Sequence, residues 1–227
     1  MGITMYSVSY IFIYHAETYI VSGLVAVGYS ASPLLAMLGL RLFFRQPVTA
    51  RMALGSLLGI AGITLVFWPE FGRLAHGSAQ LGGLAMGATL TLLAALVSTA
   101  GGLIAHRNHQ RKLIGWPTMA WSMGYGGLFA LLVALALGRP IAFDASPAYL
   151  LSLLYLAVFG SVLTFGCWLL LLGRVGPARA SYVGVMVPIM ALFISTFFEN
   201  LAWHSLMVAG IAISVAGNVL VLRNAQR

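Results

Sequence analysis

Residues 19–67 read YIVSGLVAVGYSASPLLAMLGLRLFFRQPVTARMALGSLLGIAGITLVF, and their pattern decides the fold. An apolar run gives way to a short basic loop bounded by Arg45 and Arg51, then to a second run studded with Gly55, Gly59 and Gly62. Ser32-Pro33 lies inside the first run. A proline there breaks a soluble helix, whereas a membrane helix tolerates it where neighbouring helices satisfy the freed carbonyl. A fainter version of the stretch returns at 178–222, with Val187-Pro188 in the same place. A displacement of 155 positions carries Pro33 onto Pro188, Gly55 onto Gly210 and Gly62 onto Gly217. That match predicts an internal repeat.

Composition sets the solvent. The chain is 61% hydrophobic and 7% charged, with mean hydropathy +0.98, against about 25% charged residues in soluble domains. Seven runs free of charge and histidine are long enough to cross a bilayer: 18–40, 52–69, 77–105, 113–138, 145–173, 180–198 and 205–222. The apolar run 1–14 is too short, since it reaches only about 21 Å against a core of about 30 Å. It reads as the back half of a helix whose beginning is missing. The expected fold is therefore all-α: a polytopic membrane helix bundle of seven full spans plus a short N-terminal partial helix.

The net charge of +8 could suggest nucleic acid, but its distribution argues for topology. If the seven runs all cross, one side holds Arg41, Arg45, Arg51, Arg107, Arg111, Lys112, Arg174, Arg179, Arg223 and Arg227. The other holds Arg73 and Arg139 with all four acids, Glu17, Glu70, Asp144 and Glu199. This positive-inside asymmetry places the C-terminus in the cytoplasm. Cys167 is alone, which excludes a disulfide framework and a thiolate metal cluster.

A polar link at 70–80 divides the chain into units 1–70 and 81–222, the second with five spans. The loop after Pro33 is basic and inside, whereas the loop after Pro188 carries Glu199 and is outside. Two similar units of opposite orientation are what an inverted-topology transporter repeat requires. The reading is two inverted five-helix repeats, the first incomplete.

Residues 14–27, Ser32-Pro33-Leu34 and Gly55-x3-Gly59-x2-Gly62 resemble the first repeat of EamA-type transporters of the drug/metabolite transporter superfamily. The second repeat agrees, with Gly160-Ser161 before Trp168, Gly176-Pro177-Ala178-Arg179-Ala180-Ser181, Pro188, and Phe198-Glu199-Asn200 before Gly210. The resemblance implies a ten-helix carrier of two inverted repeats with both termini cytoplasmic. It further implies movement of small metabolites, often outward, without a bound cofactor. Two departures stand out. The helices matching the family's first two, and the start of its third, are missing, and Arg45-Gln46 stands where the family often has Gly-Glu.

Within this frame the substrate-path candidates are Tyr14, Glu17, Ser22, Trp121, Tyr125, Thr164, Trp168, Ser181 and Tyr182. Glu17 sits beside His15 at the end of the short first segment, where a carboxylate withdrawn from water could exchange protons. The plainer reading is a solvated interfacial Glu. Trp121, Tyr125, Trp168 and Tyr182 lie deeper than an aromatic belt needs, so each either lines a cavity or packs between helices. Ser22, Thr164 and Ser181 would be their hydrogen-bonding neighbours. Pro33 and Pro188 read as kinks near a central path. Glu199 with Asn200 reads as a cap, Asn218 as a cross-helix hydrogen bond, and the Gly55/Gly59/Gly62 and Gly82/Gly83/Gly87 sets as close packing. His106-x2-His109 reads as a solvated cytoplasmic turn rather than a metal site.

The leading expectation is a secondary transporter of small organic metabolites or drugs in a bacterial cytoplasmic (inner) membrane. It would export by alternating access, with the lipid bilayer and a small-molecule substrate as partners. Assembly as a homodimer is compatible with this reading, and nucleic acid is not expected. The alternative is a truncated, non-transporting fragment that needs a partner chain to complete its cavity. An enzyme is not expected, because four scattered acids do not form a catalytic cluster, and no metal or cofactor is called for.

Overall fold

The computed structural model describes residues 1–20, 25, 28–66, 68, 78–113, 115–138, 144–180, 183, 186, 190 and 205–222. Ser22, Ser181, Tyr182, Pro188, Glu199 and Asn200 lie outside the described residues, as does the side chain of Asn218.

Every regular element among the described residues is helical. A π-helical stretch, Thr4–Val8, leads into α1 (Ser9–Ala16). Then follow α2 (Ser32–Phe44), α3 (Ala50–Val66), α4 (Ser78–Gln110) and α5 (Trp116–Ala136). Next, α6 (Pro147–Tyr155) passes through a second π-helical stretch, Leu156–Leu163, into α7 (Thr164–Val175). The single turn α8 (Pro177–Ala180) and the helix α9 (Ser205–Leu222) complete the set.

Proline marks the beginnings. Pro33, Pro117 and Pro147 each stand in the first turn of α2, α5 and α6, where a missing N–H costs nothing and φ is already helical. Inside the helices, several hydroxyls bond to their own backbone. Ser9, Ser56, Thr64, Thr89 and Thr91 each donate to the carbonyl four residues back. Such local bonding lets a polar side chain sit in hydrocarbon without an unmet donor.

Among the described residues, three helices are long and apolar enough to cross a bilayer: Gly82–Gln110, Trp116–Ala136 and Pro147–Val175. Ser32–Phe44, Ala50–Val66 and Ser205–Gly217 are shorter apolar helices. The run expected to span at 18–40 is not one continuous helix. It turns at Glu17, Thr18 and Tyr19 and again at Ser30-Ala31. The second break falls just ahead of Pro33, whose ring and missing N–H suit the first turn of a helix and not its interior.

The helix expected to end at Ala105 instead runs on to Gln110. His106 and His109 are therefore helical, not part of a solvated turn. The His106 ring packs edge-on against Phe44 at 5.2 Å and its Nε2 meets the Gln110 amide at 3.2 Å. A Cβ on Gly173 would lie 2.6 Å from the His109 ring. Among the described residues no group of His, Cys, Asp or Glu could hold a metal.

The long helix α4 is the hub. It packs against the Thr4–Val8 stretch, α1, α2, α7 and α8. Three apolar clusters hang from it: Ala16, Ile20 and Val25 with Leu84 and Leu90; Met37 and Leu40 with Leu103; and Leu172 and Ala180 with Ala105. By contrast, α5 and Pro147–Val175 are each only 11% buried over their most apolar window. Bare faces carrying Leu128, Leu131, Leu132 and Leu135 suit lipid, not water.

The helices α3 and α9 form a pair of their own. A Cβ on Gly62 would meet the carbonyl of Gly210 at 2.5 Å, and one on Gly217 would meet the carbonyl of Gly55 at 2.6 Å. Partners descend along α9 as residues ascend along α3, so the pair is antiparallel. Its backbones touch through glycine, the small-residue packing of membrane helices. Exchanging each residue for its equivalent 155 positions away turns one of these two contacts into the other. Not every expected glycine packs closely. Gly87 lies against Ile20, but a Cβ on Gly82 would have nothing within 4 Å.

Candidate functional site

A cavity of about 830 Å³ opens beside α4. Its walls come from helix faces with a regular period. Met5, Ser9 and Ile13, with Tyr10, descend from the N-terminal segment; Tyr29, Ser32 and Ala36 come from around the break before α2. Ser98, Thr99 and Gly102 come from α4. Tyr155, Phe159, Gly160 and Leu163 come from the π-helical passage, and Thr164, Cys167, Trp168 and Leu171 from α7. Spacings of three and four keep side chains on one face.

Both π-helical stretches border this space, Thr4–Val8 through Met5 and Leu156–Leu163 through Phe159, Gly160 and Leu163. The wider helix presents its side chains at altered angles, and such stretches recur at functional sites. It also creates a bond an α-helix lacks: Thr164 Oγ1 donates to the carbonyl of Phe159, five residues back, at 2.6 Å.

Rings form much of the wall. Phe165 packs edge-on against Tyr6 at 4.7 Å and Tyr10 at 6.5 Å, tying α7 to the N-terminal segment. Tyr155 and Phe159 stack at 5.1 Å and 27°. The Trp168 indole lies against the backbone of Gly102, where a Cβ would sit 3.4 Å from the ring. The polar groups include the hydroxyls of Tyr29, Ser98 and Ser9, and Ser9 Oγ donates to the carbonyl of Met5 at 2.9 Å.

The structure brings two of the expected residues, Thr164 and Trp168, into this wall. Pro33 is buried in the first turn of α2 between the lining residues Ser32 and Ala36. Other candidates stand elsewhere. Glu17 caps the C-terminal end of α1 and is exposed, one turn beyond Ile13. Tyr14 is 66% exposed, with its ring tilted against Tyr10 at 6.1 Å. Trp121 and Tyr125 stack on each other at 5.8 Å on the outer face of α5, 67% and 58% exposed. Tyr29, Ser98, Thr99, Tyr155 and Phe159 were not singled out by sequence. The paired hydroxyls Ser98-Thr99, set deep in an apolar helix, were the signal available.

Known proteins now place the chain. It is 25% identical over 223 residues to Protein PecM of Dickeya dadantii, covering 97% of this chain and 71% of that protein. An uncharacterised transporter of Synechocystis is 27% identical over 218 residues, covering 90% of this chain and 64% of its own length. A second uncharacterised transporter, from Archaeoglobus fulgidus, is 22% identical over 223 residues, covering 98% of this chain and 76% of its own. A protein crystal structure superposes over 100% of this chain and 76% of the other with TM-score 0.77, at 14% identity, a likeness of fold. The pattern of the EamA-like transporter family matches residues 85–223, more than half of the chain, and the chain belongs to that family.

Proposed function

We propose that this integral membrane transporter is a secondary carrier for small organic solutes, with the cavity beside α4 as its solute site. One observation carries the reading. Met5 to Ala36 on one side and Ser98 to Val183 on the other enclose a common space, so residues of both sequence units, 1–70 and 81–222, face one solute. Relative rocking of two such units around a shared site is how inverted-repeat carriers alternate access. The inverted relation is supported by the α3–α9 seam, whose glycine contacts interchange under the repeat displacement, as contacts across a two-fold axis do. Outward transport follows from the family resemblance. The volume falls within the range that holds a drug-sized molecule, roughly 300–1,000 Å³. Family membership and the transporter relatives favour this reading over a non-transporting fragment.

The test is to fill the space. A Cβ on Gly160 meets only Leu156, at 3.6 Å, so Gly160→Trp can place an indole in the cavity without striking backbone. Reconstituted vesicles carrying Gly160→Trp are expected to lose solute flux by about tenfold or more while the protein inserts and extracts as before. Full flux through the filled variant overturns the assignment of the site.

A further inference from the structure

The wall of the cavity also restricts what the solute can be, an inference that rests on the cavity being the solute site. Among the described lining residues there is no Asp, Glu, Lys, Arg or His. An ion entering such a wall gives up its hydration with no opposite charge to replace it, which selects against charged solutes.

The hydroxyls add a second restriction. Ser9 and Thr164 spend their protons on the carbonyls of Met5 and Phe159, so what each offers to a solute is its oxygen lone pairs. Ser9 and Thr164 therefore present acceptors to the cavity, beside the lining rings of Tyr10, Phe159, Phe165 and Trp168. Flat rings gain from stacking and edge contacts there beyond the area they bury.

We propose that the solute is uncharged, contains a flat aromatic ring and carries at least one N–H or O–H donor.

The chain supplies its own reporter. Cys167 is its one cysteine; it is exposed and lines this cavity. The full chain, purified in lipid nanodiscs, is treated with N-ethylmaleimide and the labelling rate followed by mass spectrometry, with Cys167→Ser as the blank. Four probes at matched concentration are compared with N-acetyltryptophanamide and indole. N-acetyltryptophan is anionic, tryptamine cationic, N-acetylleucinamide ringless and 1-methylindole without a donor. N-acetyltryptophanamide and indole are expected to slow labelling by about threefold or more near saturation. The anion, the cation and the ringless amide should leave the rate within error, and 1-methylindole should protect less than indole. Equal protection by the charged probes, or protection by none, overturns the solute class. Flux of N-acetyltryptophanamide into vesicles is read separately. Protection without flux removes the carrier reading while the ligand class stands, whereas flux of the charged probes overturns the class and leaves the carrier.

Discussion

Arg45 closes α2 in the left-handed region, at φ 54°, with Leu40's carbonyl taking N–H groups from Arg45 and Gln46. A side chain pays for that conformation and glycine does not. The family resemblance puts glycine at this position, so the departure is a local strain of known cause. Arg45→Gly is expected to raise unfolding stability in detergent by about 0.5–1 kcal/mol, and Arg45→Val, branched at Cβ, to lower it; a less stable glycine variant would refute the account. Before α6, Asp144 accepts from the N–H and hydroxyl of Ser146 at 2.8 and 2.9 Å, and these bonds hold its carboxyl below the usual range. A depressed carboxyl supports the folded turn above its unfolded pKa and loses that support as pH falls through the folded value. Its carboxyl NMR midpoint should therefore lie below about 3.9 and rise in Ser146→Ala; equal midpoints would deny the bonds their role. Residues of the cavity were only half legible from sequence. Depth in an apolar run locates a side chain along the membrane normal but not around the helix. Thr164 and Trp168 thus fell on the cavity, while Trp121 and Tyr125, chosen by the same rule, fell on the exposed face of α5.

The pair α3–α9 shows what sequence could and could not say about an element. Glycine spacing foretold a close seam, and Gly55, Gly62, Gly210 and Gly217 form one. The set Gly82, Gly83 and Gly87 gives one close contact, at Ile20, and one glycine facing open space. Glycine marks where backbones can approach; only a partner decides whether they do. A direct comparison follows. Gly62→Ala drives a methyl group into the Gly210 carbonyl and the Ser214 amide, at 2.5 and 2.6 Å, and is expected to cost about 1–3 kcal/mol. Gly82→Ala has no such neighbour and should gain up to about 1 kcal/mol from helix propensity. Thermal unfolding of both variants decides: equal melting temperatures would mean that the seam does not hold the pair. Helix length was legible less evenly. Apolar runs located the long helices to within a few residues, but 18–40 breaks twice because local turns and Pro33 outweigh uniform hydropathy.

For the whole molecule, the antiparallel seam constrains how the chain threads the bilayer. Two crossing helices of opposite direction have an even number of crossings between them. Between α3 and α9, Gly82–Gln110, Trp116–Ala136 and Pro147–Val175 supply three, and the apolar run 180–198, read from sequence, supplies the fourth. This parity agrees with the charge count, which places Arg107, Arg111 and Lys112 inside with the C-terminus and Asp144 outside. Neither argument uses the other's data: one rests on which glycine meets which, the other on loop charge. The proposed threading predicts that green fluorescent protein fused after Arg227 fluoresces, while alkaline phosphatase at the same place is inactive. Alkaline phosphatase inserted between Asp144 and Ser146, before α6, should be active, and after Lys112 it should be inactive. Replacing Arg107, Arg111 and Lys112 together by Gln should weaken that bias, since positive charge near a span end is what retains it in the cytoplasm. Activity at both Lys112 and Ser146 positions would break the alternation and remove the inverted relation of the two units. Activity at neither would do the same, and the solute site would then need walls other than those the two units share.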